Sequence, residues 1–110
     1  MRLVVTSVRY ADFLAVTLPA WKAIVPSGAL YVATSIDDIH TQQVAVAHGV
    51  PCLCTEAWTQ KDPTCHEGGE PTFNLALGLD TALGLVPGLM PEPTPGEIIG
   101  HASADCVPSI

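Results

Sequence analysis

The sequence predicts an α/β fold, a mostly parallel sheet of about four strands joined by crossover helices. Three observations carry that prediction. First, residues 2–6 are β-branched and apolar, the mark of a strand buried on both faces, and 29–33 and 50–55 read as two further strands. Second, helical stretches separate these runs, and short connections between successive strands call for parallel pairing through right-handed crossovers. Third, the 110 residues are 48% hydrophobic and only 14% charged. That balance suits a single well-buried domain, 1–110, and excludes a disordered chain.

The elements follow in order. Strand 2–6 is ended by Thr6, Ser7 and Arg9. A helix over 10–23 comes next, with Asp12 suiting its positive first turn and Pro19 expected to kink or split it. Pro26, Ser27 and Gly28 turn the chain into strand 29–33. Thr34 or Ser35 then caps a second helix, with Asp37 and Asp38 in its first turn. On that helix Ile36, Ile39, Val44, Val46 and Ala47 share one arc, expected to face the core, while Asp37, Asp38, Thr41, Gln42 and His48 face away. Gly49 stops the helix in a left-handed cap, and strand 50–55 follows. The connection 56–71 is longer than most loops and reads as functional or mobile. Pro71 or Thr72 opens a helix that runs to about Leu85 and is apolar almost all round, so it needs cover on more than one side. A Pro-rich connector, 86–96, should be extended, and residues 97–102 read as the fourth strand.

Charge and motifs narrow the function. Four Lys and Arg against eleven Asp and Glu give a net charge of −7, so there is no basic footprint for nucleic acid. The acids are spread from Asp12 to Asp105, not gathered in blocks, which argues against an acidic mimic of DNA. No apolar stretch reaches the roughly 18 residues of a membrane span, and the N-terminus lacks a signal peptide's apolar region. A cytoplasmic location is the expectation. The glycine fingerprint of dinucleotide sites, the phosphate loop and the Gly-x-Ser-x-Gly elbow are all missing. Cys65, His66 and Glu67 are adjacent in a loop, which rarely aligns a nucleophile with its base. Cys52, Cys54, Cys65 and His66 lack the paired knuckles of a structural zinc site. Cys52 and Cys54 share one strand face, which makes a mutual disulfide awkward, and they read as buried thiols.

In open parallel sheets, ligands bind beyond the carboxyl ends of the strands. Those ends hold Thr6, Ser7 and Tyr10, then Thr34, Ser35 and Asp37, then Thr55, Glu56 and Trp58, and finally Ser103 and Asp105. Capping and turn formation use the same residue types.

Several segments carry a resemblance. Residues 6–14 (Thr-Ser-Val-Arg-Tyr-Ala-Asp-Phe-Leu), 33–38 (Ala-Thr-Ser-Ile-Asp-Asp), 48–51 (His-Gly-Val-Pro) and 55–57 (Thr-Glu-Ala) resemble the N-terminal half of family 2-like glycosyltransferases of the GT-A fold. Residues 96–108 resemble the strand that carries that family's Asp-x-Asp motif, with Pro108 following it. The resemblance implies a GT-A or Rossmann-like half domain that binds a nucleotide-sugar. It places Thr6, Ser7 and Tyr10 beside the nucleotide, Asp37 as the acid after the second strand and Glu56 near the base. Ser103 and Asp105 stand at the motif, where Asp105 matches the acid that helps hold Mn or Mg on the diphosphate. The chain departs from the family in three ways. Ser103 replaces the first acid, Leu75 stands where a cation is expected after Phe73 and Asn74, and the sequence ends at Ile110 without an acceptor half or a later catalytic base. The resemblance therefore implies a truncated or degenerate binding domain with no catalytic residue assigned. The alternative is a non-catalytic regulatory or interaction protein, of a kind found among phage-encoded proteins, whose acidic surface meets a protein partner. The apolar helix 72–85 favours such a partner or a homo-oligomer.

Overall fold

The computed structural model describes residues 1–55 and 78–108. In chain order the elements are β1 (Arg2–Thr6), α1 (Ala11–Ile24), β2 (Leu30–Ser35), α2 (Ile39–Ala47), β3 (Cys52–Thr55) and β4 (Ile99–Ser103). The four strands form one sheet in the order β3-β2-β1-β4. All its pairings are parallel, with Leu3 opposite Leu30 and Gly100, and Val32 opposite Cys52. This is the predicted α/β sheet and has the strand order of one half of a Rossmann-like fold.

Alternation along β1 builds a core on each side of the sheet. Leu3 and Val5 pack with Leu14 and Leu18 of α1, Ala45 of α2 and Val32. Val4 joins Val8, Ala33 and Ala82, with Tyr31, Met90 and Ile99 at the margin. Leu14 and Leu18 are completely buried, and each contributes on the order of 2 kcal/mol by leaving water. On the first side, the Thr17 hydroxyl donates to the Ala104 carbonyl at 2.6 Å and the Trp21 indole to the Cys106 carbonyl at 2.9 Å. These bonds fix the segment leaving β4 against α1.

Several expectations need correction. Pro19 neither splits nor ends α1, which is one helix of 14 residues. Pro19 and Ala15 both lie on its exposed side, so the carbonyl left without an N–H partner faces water. The second strand runs to Ser35, so Thr34 and Ser35 belong to β2 and Asp38 is the residue that caps α2. The predicted inner arc holds only at Val44, which packs against the core. Thr41 and Ala45 are the buried residues of α2, while Ile36, Ile39 and Val46 are exposed. A polar network beneath the first turn of the helix, described below, draws Thr41 inward. Gly49 does follow α2 in the left-handed region, at φ +68°. β4 starts two residues later than expected and ends at Ser103.

The loop 56–71 lies outside the described residues, as does most of the predicted helix 72–85. Its described part is helical over 78–82, with Thr81 and Ala82 buried. The connector 86–96 is not extended throughout, because turns form where Leu89 N–H meets the Val86 carbonyl and Glu97 N–H meets that of Thr94. The segment is fastened to β1 through Arg2, which is buried. Its guanidinium donates to Glu97 at 3.0 Å, the Pro91 carbonyl at 2.8 Å and the Ala82 carbonyl at 3.3 Å. No helix among the described residues is long and apolar enough to cross a membrane.

Candidate functional site

The chain steps outward from β1 through β2 to β3 and then returns to the other side of β1 as β4. At the carboxyl edge the chain leaves β1 for α1 and β2 for α2, while the segment after β4 is bonded to α1. A cleft of about 400 Å³ lies at that edge, lined by Arg9, Ala11, Asp12, Asp38 and His40. The first turns of α1 and α2 frame it.

Asp38 organises the cleft. One carboxylate oxygen accepts from Arg9 N–H at 2.7 Å, the Thr34 hydroxyl at 2.9 Å and the Thr41 hydroxyl at 2.7 Å. The other accepts from Thr41 N–H at 3.2 Å, the N-cap bond of α2. Burial pushes this carboxyl's pKa up, but the bonds from Arg9, Thr41 and Thr34 outweigh it and leave the value below the ordinary one. The bond from Arg9 N–H joins α2 to the turn after β1. Arg9 sits there at φ +64°, a left-handed conformation that costs a non-glycine residue about 1–2 kcal/mol. Strain of this kind persists where surrounding contacts impose it, and such places cluster at binding sites.

The candidate residues divide into groups. Ser7 is fully buried, with its Oγ 3.3 Å from that of Thr41, so it supports the Asp38 network from beneath. Tyr10 immediately precedes α1, its ring edge-on to Phe13 at 5.8 Å. Asp37 is exposed and accepts from the Ser35 hydroxyl at 2.6 Å. Thr6 is buried on the opposite face of the sheet, sharing a 2.8 Å hydrogen bond with His101 Nε2. A Cβ at Gly78 would strike both of those groups, so the helical turn lies directly on them. Burial lowers the His101 pKa and favours its neutral form. At the end of β4, Asp105 is exposed, and a hydrogen bond from Ser103 holds its carboxyl below the usual range. Glu56 lies outside the described residues.

The structure therefore brings Ser7 to the Asp38 network and joins Ser103 to Asp105. It puts Thr6 with His101 instead. The strand-end reading included Thr34 but not Asp38, Arg9, Thr41, His40 or His101. Asp38 followed three residues later by Thr41 is itself an N-cap spacing, and it was the available signal.

Among the described residues, no group of three or more His, Cys, Asp or Glu side chains converges to hold a metal ion. Asp105 offers one exposed carboxylate, which suits Mg or Mn when phosphate oxygens supply the rest of the shell. On β3, Cys52 and Cys54 are free thiols, half-buried, with their sulfurs 4.0 Å apart. Burial, and then the neighbouring Cys54, push the Cys52 pKa up to about 12.

Sheet order and cleft together define a Rossmann-like α/β half domain with a polar site at its carboxyl edge. No protein-family model, curated protein or solved structure matches the chain.

Proposed function

We propose that the chain is a GT-A-like domain that binds a nucleotide-sugar and is degenerate as a transferase. The cleft between the first turns of α1 and α2, built on the strained Arg9 turn and buried Asp38, supports this reading most directly. Arg9 and His40 supply cationic or hydrogen-bonding groups for phosphate. Exposed Asp12 and Asp37 offer carboxylates for ribose hydroxyls, and Tyr10 offers an aromatic edge for a base. Asp105 would hold Mn or Mg against the diphosphate, where the cation neutralises phosphate charge. The Ser103 hydroxyl donates to Asp105 from the position where the family places the first acid of its motif, which favours binding over catalysis.

Calorimetric titration with uridine or guanosine diphosphate, with and without Mn²⁺, tests the reading. Metal-strengthened binding that weakens in Asp105→Ala and Asp37→Ala is expected. No heat at millimolar nucleotide overturns it.

A second reading, a non-catalytic interaction protein, rests on the outer faces of the helices. Phe13 and Val16 of α1 and Ile39 and Val46 of α2 are exposed, Val16 by 73% and Val46 by 75%. A protein partner or a second copy would cover them. Size-exclusion with light scattering distinguishes the two readings: a dimer that Val46→Asp dissociates supports the second, and a monomer at high concentration removes self-association.

A further inference from the structure

We propose that Cys52 and Cys54 form a dithiol site for a soft monovalent metal ion, Cu(I), held in three-coordinate geometry with a small-molecule thiol as the third ligand. The nucleotide reading leaves this pair unused. The two thiols project from the same face of β3, their backbone fixed by pairing to Val32 and Thr34 of β2. Two sulfurs bonded to one ion at about 2.3 Å stand roughly 3.8 Å apart at a tetrahedral centre, 4.0 Å at a trigonal one and 4.6 Å at a linear one. The observed separation of 4.0 Å matches the trigonal case.

Ligand chemistry selects the ion. Thiolates favour soft ions such as Cu(I) over Mg or Ca, which take oxygen ligands. Structural zinc requires four ligands, and no described residue makes a group of three with this pair. Cu(I) is satisfied by these two thiolates and one small-molecule thiol. β3 is an edge strand of the sheet among the described residues, and both cysteines are only half-buried, so an ion has a route in. Binding forms two Cu–S bonds to Cys52 and Cys54 as both S–H protons leave to solvent, and a third to the small-molecule thiol; copper remains Cu(I) throughout.

The test is an anaerobic titration of the reduced full chain with Cu(I) and a small-molecule thiol, in competition with bathocuproine disulfonate. One ion per chain is expected, with affinity falling on the order of 100-fold in Cys52→Ser and in Cys54→Ser and unchanged in Cys106→Ser. X-ray absorption of the copper-loaded wild type should show a sulfur shell near about 2.3 Å, and this measurement stands even if a serine variant fails to fold. Undiminished affinity in the double variant overturns the proposal. So does equal loss in Cys106→Ser, or a copper shell without sulfur.

Discussion

At the scale of single residues, the protein distinguishes two adjacent acids by where their backbone ends up. Asp37 and Asp38 are equivalent in sequence, yet only Asp38 is turned inward, because β2 continues to Ser35 and sets the helix start at Ile39. That outcome depends on pairing with β1 and β3, so reading the strand-end acid from sequence alone selects Asp37. Asp38→Ala should cost about 2–4 kcal/mol, since it removes an N-cap and strands the Arg9 and Thr41 N–H groups; urea denaturation measures it. The carboxyl's pKa is depressed in the folded state. Its contribution is therefore present above the unfolded value near 3.8 and is lost as pH falls through the folded value. Asp38→Asn should flatten that part of the acid-unfolding curve. His101 acts in a higher window. Its folded pKa lies below the ordinary 6.5, so the unfolded chain binds the proton first and stability falls as pH drops below 6.5. Thermal melts at about pH 7.5 and 5.5 should show that loss in wild type and a smaller one in His101→Gln.

At the scale of elements, legibility followed burial. The strands were readable because a two-sided buried strand is written in consecutive apolar residues such as Leu3, Val4 and Val5. α2 was misread because most of its apolar arc, Val44 excepted, points away from the sheet. Thr41 is held inside by hydrogen bonds to Asp38, and Ile39 and Val46 are left outside. A helix whose inner face is anchored by polar contacts cannot be oriented by hydrophobic periodicity. α1 shows the complementary case, in which a helix-breaking residue is tolerated on an exposed side. Pro19→Ala should restore a hydrogen bond to the Ala15 carbonyl and raise stability by up to about 3 kcal/mol, seen as a higher Tm. A fall in Tm would mean that Pro19 sets a bend that the packing of α1 requires.

At the scale of the whole molecule, one cation joins the two ends of the described chain. Arg2, at the start of β1, reaches Ala82, Pro91 and Glu97 together. Arg2→Ala should release that segment before the sheet opens, and amide hydrogen exchange over residues 82–97 should accelerate while β2 stays protected. The central position of β1 also sets a timetable for folding. Leu3 pairs with Leu30 after a modest loop is closed, whereas its pairing with Gly100 must wait until almost the entire chain has been gathered. Closing the larger loop costs more entropy, so β1 and β2 should meet first and β4 should dock late. In stopped-flow refolding, Val32→Ala should slow folding, and Ala102→Gly should chiefly hasten unfolding. During synthesis, the far edge of β1 would then stand open until β4 arrives, a vacant parallel edge that a neighbouring nascent chain can join.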